Sequence, residues 1–359
     1  MMNRICLIVH SLGVGGMERV MSELANNFCQ REYTEVHLVL IGKSREIVHP
    51  ISDKIIVHKP AFRFNNNYRT WNTMKTLLFI RKTVKRIGPD TILSFGEMWN
   101  NLVLLATKGL PFPIFISDRS EPGKDLGNMQ NFLRNSLYPG AAGYIAQTRK
   151  AAEVCKQNGW NRNIHVIGNP VRKIEIDPEV KRENIVLSVG RLIPGKHFDQ
   201  LIRMFAELNA PDWKLVIVGG NAKKLHLLNE LRTLVEELGE NGRIQLVGEQ
   251  RDVDSYYSRA KIFAFTSSSE GFPNVISEAL SAGLPVVAYR EATGLEELVE
   301  ESFNGFLVTY GDHDNFKKKL LKLITDRQLR SIMSENANRS ISKFSNQNVS
   351  SAYLNFIMQ

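Results

Sequence analysis

Short apolar runs of strand length alternate with longer segments of helical period along the chain, and this alternation constrains the fold more than any other feature. Such alternation is typical of βαβ units, which build parallel sheets covered by helices on both faces. The sequence therefore predicts an α/β protein with doubly wound sheets. The predicted strands are Ile5–Val9, Val36–Ile41, Ile55–His58, Thr91–Ser94, Ile114–Ser117, Tyr144–Ala146, His165–Ile167, Ile185–Val189, Lys214–Val218, Ile244–Val247, Ile262–Phe265, Val286–Ala288 and Phe306–Val308.

The chain has 359 residues, about the length of two ordinary domains. The strand series begins afresh after "IGNPVRKIEIDPEV", where Gly168, Pro170 and Pro178 interrupt regular structure. We expect one Rossmann-like domain over residues 1–170, a second over 171–340, and a helix within 341–359 that packs back on the first. Ligands of open α/β sheets bind at the carboxyl ends of the strands, so we expect the two domains to face an interdomain cleft.

Composition narrows the class of protein. Three cysteines lie far apart without a CxxC spacing, so neither a zinc site nor a disulfide framework is indicated. This cysteine usage fits a protein of the reducing cytoplasm best. The start, "MMNRICLIVHSLG", has too short an apolar run for a membrane span or a secretory signal and is predicted to be a buried strand.

The net charge of +9 is unevenly distributed. Residues 1–170 hold 22 Lys and Arg against 12 Asp and Glu, whereas residues 171–359 hold 24 against 25. A basic face on the first half is compatible with an anionic membrane, a polyanionic substrate or simple solubility. Nucleic acid is not an expected partner, because no reading helix or stacking platform is found.

Glycines follow the first predicted strand in "HSLGVGGMERV", which places Gly13, Gly15 and Gly16 in a turn that enters a helix. Such glycines allow a phosphate or sugar to approach the backbone closely. A dinucleotide fingerprint would need a third glycine where Glu18 stands, so nicotinamide binding is weakly supported. A tight structural turn is the alternative.

Two cations follow the first strand of the second half, in "SVGRLIPGKHFD". Arg191 and Lys196 lie on one short loop and could grip a diphosphate, the first by its fork of N–H groups and the second as a point charge. The alternative is a solvated turn.

Two carboxylates occur in "FTSSSEGFPNVISEALSAGLPVVAY". Pro273 and Asn274 are predicted to begin a helix, which would point the N–H groups of Asn274 and Val275 at an anion. Glu270 precedes that helix and Glu278 lies one turn inside it. Since carboxylates accept hydrogen bonds from sugar hydroxyls, a nucleotide sugar would suit the site, with its diphosphate between a ribose and a hexose.

"EGFPNVISE" resembles the E-x7-E signature of glycosyltransferase family 4, whose members are retaining enzymes of the GT-B fold. "GGMERV", "SVGRLIPGKHFDQLI" and "SEALSAGLPVVAYREATGLEELVEESFNGFLV" resemble further landmarks of that family in the same order. The resemblance spans nearly the whole chain. It implies transfer of a hexose or N-acetylhexosamine from a nucleoside diphosphate sugar, with UDP favoured by family habit, and no cofactor.

The resemblance also implies a set of donor-binding residues: Gly15, Gly16, Arg191, Lys196, Val247, Gly248, Glu270, Gly271, Phe272, Pro273, Asn274, Val275 and Glu278. Arg191 and Lys196 would bind the diphosphate, Glu270 the transferred sugar and Glu278 the ribose. Backbone groups from Val247 to Gln250 would lie near the base.

One position departs from many relatives, which carry a histidine after the strand that here reads "FISDRSEPG". Asp118 and Arg119 stand there, and with Arg191, Lys196 and Glu270 they form the predicted catalytic set. Bacterial surface-polysaccharide transferases are similar in having an acidic residue followed by Arg at this point.

No metal site is expected. Asp252 and Asp254 form a DxD sequence, but they precede a short predicted helix, so a helix-capping role is the better interpretation. Arg191 and Lys196 would replace the cation. His10 and Trp99 follow predicted strands and could face a ligand. For both, packing within the domain is the alternative.

The stretch "FRFNNNYRTWNTMKTLLFIRKTVKRIG" is typical of an interfacial amphipathic segment. Its aromatic and cationic residues are Phe62, Arg63, Phe64, Tyr68, Arg69, Trp71, Lys75, Arg81, Lys82, Lys85 and Arg86. We therefore expect a saccharide acceptor that is lipid-linked, an anionic membrane partner, and a peripheral location on the cytoplasmic face of the plasma membrane. The alternative is a core helix with a solvated basic face.

Two other functions stay open. A GT-B epimerase acting on a UDP-sugar would share the donor site but need groups for proton transfer and no acceptor. A noncatalytic nucleotide-sugar binding protein is the other alternative.

Overall fold

The structure is a computed structural model that describes residues 2–13, 15–42, 46–176, 179–222 and 225–359. The chain divides into two compact units, which we call unit 1 (Met1–Pro170 with Phe344–Gln359) and unit 2 (Val171–Lys343). Of the predicted linker residues, Pro178 lies outside the described residues.

Unit 1 contains a sheet of seven strands in the order β3-β2-β1-β4-β5-β6-β7. All neighbouring strands pair in parallel, which matches their near-continuous apolar sequences. The strands are β1 (Asn3–Val9), β2 (Thr34–Leu40), β3 (Ile56–His58), β4 (Thr91–Phe95), β5 (Ile114–Ser117), β6 (Gly143–Ala146) and β7 (Ile164–Val166). The strand order reverses between β1 and β4, the topological switch point where α/β sheets bind ligands.

The helices of unit 1 cover both faces of its sheet. They are α1 (Gly16–Phe28), α2 (Arg69–Ile87), α3 (Glu97–Thr107), α4 (Asn128–Leu137) and α5 (Arg149–Gln157). Helix α2 ends at Gly88, whose φ of 57° is the left-handed conformation that glycine adopts without steric cost.

Unit 2 repeats this plan with six parallel strands in the order β10-β9-β8-β11-β12-β13. Its strands are β8 (Ile185–Val189), β9 (Lys214–Val218), β10 (Ile244–Gly248), β11 (Ile262–Phe265), β12 (Val286–Tyr289) and β13 (Gly305–Val308). Its helices are α6 (Phe198–Ala206), α7 (Leu227–Glu237), α8 (Asp254–Arg259), α9 (Asn274–Ser281), α10 (Leu295–Leu298), α11 (His313–Thr325) and α12 (Arg327–Ser340). The switch point lies between β8 and β11.

The last helix, α13 (Asn346–Ile357), packs in unit 1. Its buried residues Val349, Tyr353 and Phe356 share a hydrophobic core with β1 and α1. Burial of these side chains stabilises the return of the chain to unit 1.

The doubly wound architecture predicted from the apolar runs is confirmed, and each predicted run overlaps a strand. Some predicted ends were wrong. Ile41, Ile55 and Ile167 are buried but lie just outside β2, β3 and β7. Apolar composition reports burial, which extends past the last paired residue.

Candidate functional site

The loops after β8 and β11 lie side by side in unit 2. The backbone N–H of Ser268 donates to the carbonyl oxygen of Gly195 at 3.1 Å, and the Thr266 hydroxyl donates to that of Lys196 at 2.7 Å. These bonds follow from the adjacency of β8 and β11 in the sheet. The structure thus brings the predicted cation loop and the predicted carboxylate loop together at the switch point of unit 2.

Lys196 and Glu270 form an ion pair between Nζ and Oε1. Both side chains are largely buried, at 14% and 19% exposure. The Lys196 ammonium also lies 5.3 Å from the centre of the Phe265 ring, a cation–π contact. Glu270 therefore orients the ammonium, and an incoming phosphate would compete with this carboxylate for it.

Arg191 differs from Lys196 in its surroundings. It is exposed, and its guanidinium forms no ion pair with any other described residue. The loop after β9, which begins with Gly219, packs tightly against the residue that precedes Arg191. A Cβ on Gly219 would lie 1.8 Å from the carbonyl oxygen of Gly190. The strand ends at this edge are therefore held close together while the Arg191 side chain keeps its freedom to move.

Helix α9 begins at Asn274, directly after Pro273, as predicted. No side chain caps this end. The Asn274 N–H donates to the carbonyl oxygen of Phe272 at 3.0 Å, so the prediction that it points outward is wrong. A ligand could use this amide only if the turn bond opened, because each N–H donates one hydrogen.

Glu278 lies one turn into α9 and is held by a tyrosine and an arginine. The Tyr257 hydroxyl donates to Oε2 at 3.1 Å, and Nε of Arg172 lies 3.6 Å from Oε1. Burial raises the pKa of Tyr257 well above its usual range, and the charge of Glu278 adds to this. Tyr257 therefore stays a hydrogen-bond donor that fixes the carboxylate.

Arg172 joins Glu278 to a second acidic residue, Asp254, whose Oδ2 accepts from Nη1 at 2.6 Å. Burial lowers the pKa of Arg172, but the bond to Asp254 and the charge of Glu278 outweigh this and raise it overall. Arg172 and Tyr257 were missed by sequence reasoning. Their partner Glu278 is distant in sequence, so no spacing signals the contact.

The strand β10 ends in the loop predicted to lie near the base. Gly248 has a φ of 72°, and its carbonyl oxygen accepts from the N–H of Gly219 at 2.9 Å. The Gln250 side chain donates to the carbonyl oxygen of Val247 at 2.7 Å. Val247 therefore already has an internal partner, whereas its proposed contact with a base stays a prediction.

A cavity of about 660 Å³ adjoins the cation loop from the side of α6 and α7. Its lining includes Leu192, Pro194 and His197, but neither Glu270 nor Glu278. We place the candidate site at the switch point, because Lys196, Glu270 and the start of α9 meet there, whereas the cavity is lined by neither of the two signature carboxylates.

In unit 1 the glycine turn leads into α1, with Gly15 just before the helix and Gly16 as its first residue. A Cβ on Gly15 would lie 2.3 Å from Oε2 of Glu18, and Oε1 of Glu18 lies 3.3 Å from Nε2 of His10. Any larger residue at position 15 would displace Glu18 from His10. A side chain at position 15 would thus require only that Glu18 move, so both the ligand loop and the structural turn stay open as predictions.

His10 and Trp99 stack on one another, with ring centres 5.3 Å apart and planes 3° from parallel. Burial lowers the pKa of His10, and Glu18 opposes this shift. The stacking favours the packing interpretation of Trp99, since one face of its indole is covered by an internal group.

Asp118 follows β5 and is surrounded by neutral donors. Its Oδ1 accepts from the Tyr138 hydroxyl at 2.6 Å and from the Asn100 amide at 3.0 Å. Burial and the nearby charge of Glu97 raise the pKa of Asp118 to about 7, against the opposing effect of the hydrogen bonds. Asp118 can therefore hold or release a proton near neutral pH.

Arg119 turns into the body of unit 1. Its guanidinium donates to the Tyr353 hydroxyl at 3.1 Å and to the Asn169 side chain at 2.5 Å, and it lies 4.2 Å from the centre of the Phe95 ring. These contacts tie β5 to α13. They favour a structural role for Arg119, while its assignment to catalysis stays a prediction.

Glu97 was missed by sequence reasoning, although it lies two residues after β4. Its Oε1 accepts from the N–H groups of Arg119 and Ser120, at 2.9 and 2.7 Å, and from the Ser120 hydroxyl at 2.6 Å. Glu97 thereby holds the loop that carries Asp118. The position at a strand end was the signal that could have found it.

The DxD sequence is split between two contacts. Oδ1 of Asp252 accepts from the N–H of Ser255 at 3.2 Å, a cap of the first turn of α8, and Asp254 pairs with Arg172. Asp252 thus bonds within the first turn although the N-cap residue of α8 is Val253, and the capping interpretation was wrong for Asp254, whose partner comes from a distant segment.

Two family descriptions match this chain in succession. Residues 14–173 match Glycosyltransferase Family 4, and residues 172–340 match Glycosyl transferases group 1. The chain belongs to glycosyltransferase family 4. The resemblance seen in the E-x7-E signature is thereby confirmed, and glycosyltransferase activity follows for this chain.

Two curated relatives from Campylobacter jejuni are similar along their full length. A GalNAc-alpha-(1->4)-GalNAc-alpha-(1->3)-diNAcBac-PP-undecaprenol alpha-1,4-N-acetyl-D-galactosaminyltransferase is 25% identical, over 100% of this chain and 99% of the relative. An N-acetylgalactosamine-N,N'-diacetylbacillosaminyl-diphospho-undecaprenol 4-alpha-N-acetylgalactosaminyltransferase is 27% identical, over 99% and 100%. The crystal structure of HepE from Anabaena in complex with UDP is similar, with a TM-score of 0.81 at 21% identity over 99% of each chain. The glycosyltransferase of family 4 described here has the same GT-B fold.

Proposed function

We propose that this glycosyltransferase moves a hexose or N-acetylhexosamine from a nucleoside diphosphate sugar to a lipid-linked saccharide, with retention of the anomeric configuration. The observation that carries the proposal is the arrangement at the switch point of unit 2. A cation loop and two anchored carboxylates lie around the start of one helix. A diphosphate flanked by two hydroxyl-rich sugars matches this alternation of charge.

Each charged group has a separate task in this proposal. Lys196 and Arg191 stabilise the negative charge that develops on the leaving diphosphate as the bond between the sugar carbon and the phosphate oxygen breaks. When phosphate takes the place of Glu270 at Lys196, the released carboxylate can accept hydrogen bonds from the transferred sugar. Glu278, held by Tyr257 and Arg172, accepts from the ribose hydroxyls.

The chemical step is a front-face displacement. The acceptor oxygen bonds to the sugar carbon on the side from which the diphosphate departs, and the acceptor proton passes to the departing phosphate. The protein supplies position and charge, which suits a site in which Lys196 is held by the neighbouring loop. We infer that the reaction needs no divalent metal, because Arg191 and Lys196 offer the positive charge that a cation would provide.

We choose UDP as the nucleotide and a lipid diphosphate-linked saccharide as the acceptor. The first choice is supported by the UDP bound to the structurally similar HepE. The second is supported by the names of the two Campylobacter relatives, which act on undecaprenol diphosphate saccharides. An epimerase has no corresponding support.

A surface on α2 suits a membrane-bound acceptor. Three large apolar side chains are exposed at helical spacing: Trp71, Met74 and Leu78, at 62%, 50% and 50%. The exposed Lys82 and Lys85 continue the same stripe. An apolar patch followed by cations is the pattern of a helix that lies in an anionic bilayer surface. We call these five residues the α2 surface.

Arg81, counted with this segment in the sequence, has a different role. Its guanidinium donates to the carbonyl oxygens of Ala106 and Lys108, at 3.0 and 2.9 Å, at the end of α3. Among the described residues no helix is long and apolar enough to cross a membrane. We propose that the protein is held at the cytoplasmic face of the plasma membrane through the α2 surface.

The test is transfer from labelled nucleotide sugars to a polyprenyl diphosphate saccharide. A thermal-shift screen of UDP-, GDP- and ADP-sugars first selects the donor, since a ligand that binds the folded state raises the melting temperature. We expect turnover that requires the acceptor, continues in EDTA, and gives a product whose anomeric coupling matches the donor. Donor turnover without acceptor would indicate an epimerase instead.

A further inference from the structure

A second cationic pocket lies at the opposite edge of the unit 2 sheet. It has a volume of about 500 Å³. Its lining residues are Arg182, Asn184, Lys261, Arg327, Arg330, Ser331 and Ser334. Asn184 and Lys261 directly precede the neighbouring strands β8 and β11, whereas Arg191 and Glu270 follow those strands. Because a strand of five residues is about 16 Å long, the pocket is separate from the candidate donor site.

The four cations of this pocket lack acidic partners. Among the described residues, neither Arg182, Lys261, Arg327 nor Arg330 forms an ion pair, although unit 2 contains many such pairs. Arg182 donates to the carbonyl oxygens of Ala260 and Ala282, at 2.7 and 2.5 Å. Lys261 donates to Oδ1 of Asn184 at 2.7 Å. Neutral oxygens thus hold Arg182 and Lys261 in place without cancelling their charge.

Their proximity has an electrostatic cost. Burial lowers the pKa of Lys261, and the charges of Arg330, Arg327 and Arg182 lower it further. Burial likewise lowers the pKa of Arg182 and of Arg330. Like charges brought together in a partly buried pocket repel one another, and an anion would relieve that repulsion.

The start of α12 adds to the positive field. Arg327 is the first residue of this 14-residue helix, and Arg330 lies in the same turn. Cations are normally disfavoured at a helix N-terminus, where the macrodipole is positive. One carboxylate is near: Asp326 caps the helix by accepting from the N–H of Leu329 at 2.9 Å, and it raises the pKa of Arg330 against the larger effects of burial and Arg327. The pocket lining therefore contains four cations and no carboxylate, and the nearby Asp326 is engaged in the helix cap.

We propose that this pocket binds a phosphate group, as a site of its own at the amino edge of the unit 2 sheet. Arg327 can offer its fork of N–H groups to phosphate oxygens, and Arg182 and Arg330 can offer the N–H groups that do not already donate to backbone carbonyls. The Ser331 hydroxyl can add a further donor, whereas that of Ser334 already donates to the carbonyl oxygen of Gly283 at 2.6 Å. The phosphate belongs either to a soluble phosphorylated compound or to a phospholipid headgroup. A free phosphate monoester and the headgroup of phosphatidic acid present the same anionic oxygens to these donors.

The test compares two double variants in a Lys196→Ala background, which weakens anion binding by the candidate donor site. Arg182 donates to the carbonyl oxygens of Ala260 and Ala282, and Arg330 to those of Leu323 and Ile324, so both support the backbone. The pocket variant is therefore Lys261→Gln with Arg327→Gln, whose side chains form no such bond among the described residues. The control is Lys318→Gln with Lys322→Gln, two exposed lysines on α11 outside the pocket lining. It removes the same charge from the same unit.

Isothermal titration with inorganic phosphate and with inorganic diphosphate, in low-salt buffer, measures soluble binding. Flotation with vesicles of phosphatidylcholine, with and without phosphatidic acid, measures headgroup binding. We expect the pocket variant to lose about tenfold or more in affinity in at least one of these arms, while the control stays near the parent protein. Loss in the titration identifies a soluble ligand, and loss only in flotation identifies a lipid. If the pocket variant and the control behave alike in both arms, the proposal is wrong.

Discussion

Units 1 and 2 have the same strand order around their switch points, yet the carboxylates at their strand ends have different kinds of partner. In unit 2 each carboxylate meets a cation: Glu270 pairs with Lys196, and Glu278 lies beside Arg172. In unit 1 Asp118 meets the neutral donors Tyr138 and Asn100 and lies near a second carboxylate. The shared topology positions the groups, but the neighbouring side chains decide their chemistry.

This difference separates two kinds of work. A cation that is paired with a carboxylate can exchange that partner for a phosphate, so unit 2 is suited to hold the diphosphate of a donor. A carboxyl with a pKa of about 7 can carry a proton at neutral pH, so unit 1 is suited to proton transfer or to a neutral hydrogen bond. The comparison predicts that substitutions in the two units will affect different measured quantities.

The largest expected effect comes from Lys196→Ala. Removing the ammonium takes away charge stabilisation of the leaving diphosphate, and we expect kcat to fall by about 10² or more. Steady-state transfer assays with a matched Lys318→Ala control, on an exposed lysine of the same unit, measure this. Near-normal turnover in Lys196→Ala would contradict the proposal that unit 2 stabilises the leaving diphosphate with this cation.

The next effect concerns unit 1 alone and tests the α2 surface. Trp71→Ser with Leu78→Ser should weaken partition onto anionic vesicles by about tenfold or more, since burial of each large apolar side chain contributes about 1.5 to 3 kcal/mol. Flotation measures the partition, and activity on a water-soluble acceptor analogue should be unchanged. The control is Ile332→Ser, an exposed apolar side chain on α12 of unit 2. Equal flotation of variant and parent would show that α2 only carries a solvated basic face.

Much of the fold and part of the site could be predicted from the sequence. Apolar runs located the strands, because parallel strands buried on both faces are continuously apolar. The rule that ligands bind at strand ends pointed to Arg191, Lys196 and Glu270, and the structure brings the loops of Lys196 and Glu270 together. The positions of these loops follow from local sequence and from the adjacency of two strands.

The partners of the site residues could not be predicted in this way. Arg172 and Tyr257 reach Glu278 from segments far away in sequence, and Arg119 reaches Tyr353 on the last helix. Such contacts depend on side-chain packing, which has no period or spacing in the sequence. The phosphate pocket was missed for the same reason, since its residues come from separate segments before β8, before β11 and in α12.

A smaller effect should distinguish the two carboxylates of unit 2. Glu278→Gln should weaken binding of free UDP by about tenfold, because it removes a charge-assisted acceptor for the ribose. Glu270→Gln should not weaken UDP binding, since this carboxylate competes with phosphate for Lys196, but it should lower transfer of the sugar, because the carboxylate is assigned to the hexose. Isothermal titration with UDP and with the UDP-sugar separates the two roles. Equal loss of UDP affinity in both variants would contradict the assignment.

The smallest effect is a dependence on pH that should arise in unit 1. Asp118 has an ordinary pKa of 3.8 when unfolded and about 7 when folded. A raised pKa means that the folded state binds the proton more tightly, so the free energy of unfolding falls as the pH rises between these values and is level above the upper one. Asp118→Asn has no such proton, and its acceptor oxygen can keep the bond from Tyr138.

We therefore expect the melting temperature of Asp118→Asn, relative to that of the parent protein, to rise by about 4 °C between about pH 5 and pH 8. Scanning calorimetry across this range measures the gain, and Asp53→Asn, the same change at an exposed position of unit 1, should show none. A constant difference at every pH would mean that Asp118 is ionised throughout. In that case its environment would not differ from the cation-paired carboxylates of unit 2, and the contrast between the units would rest on their partners alone.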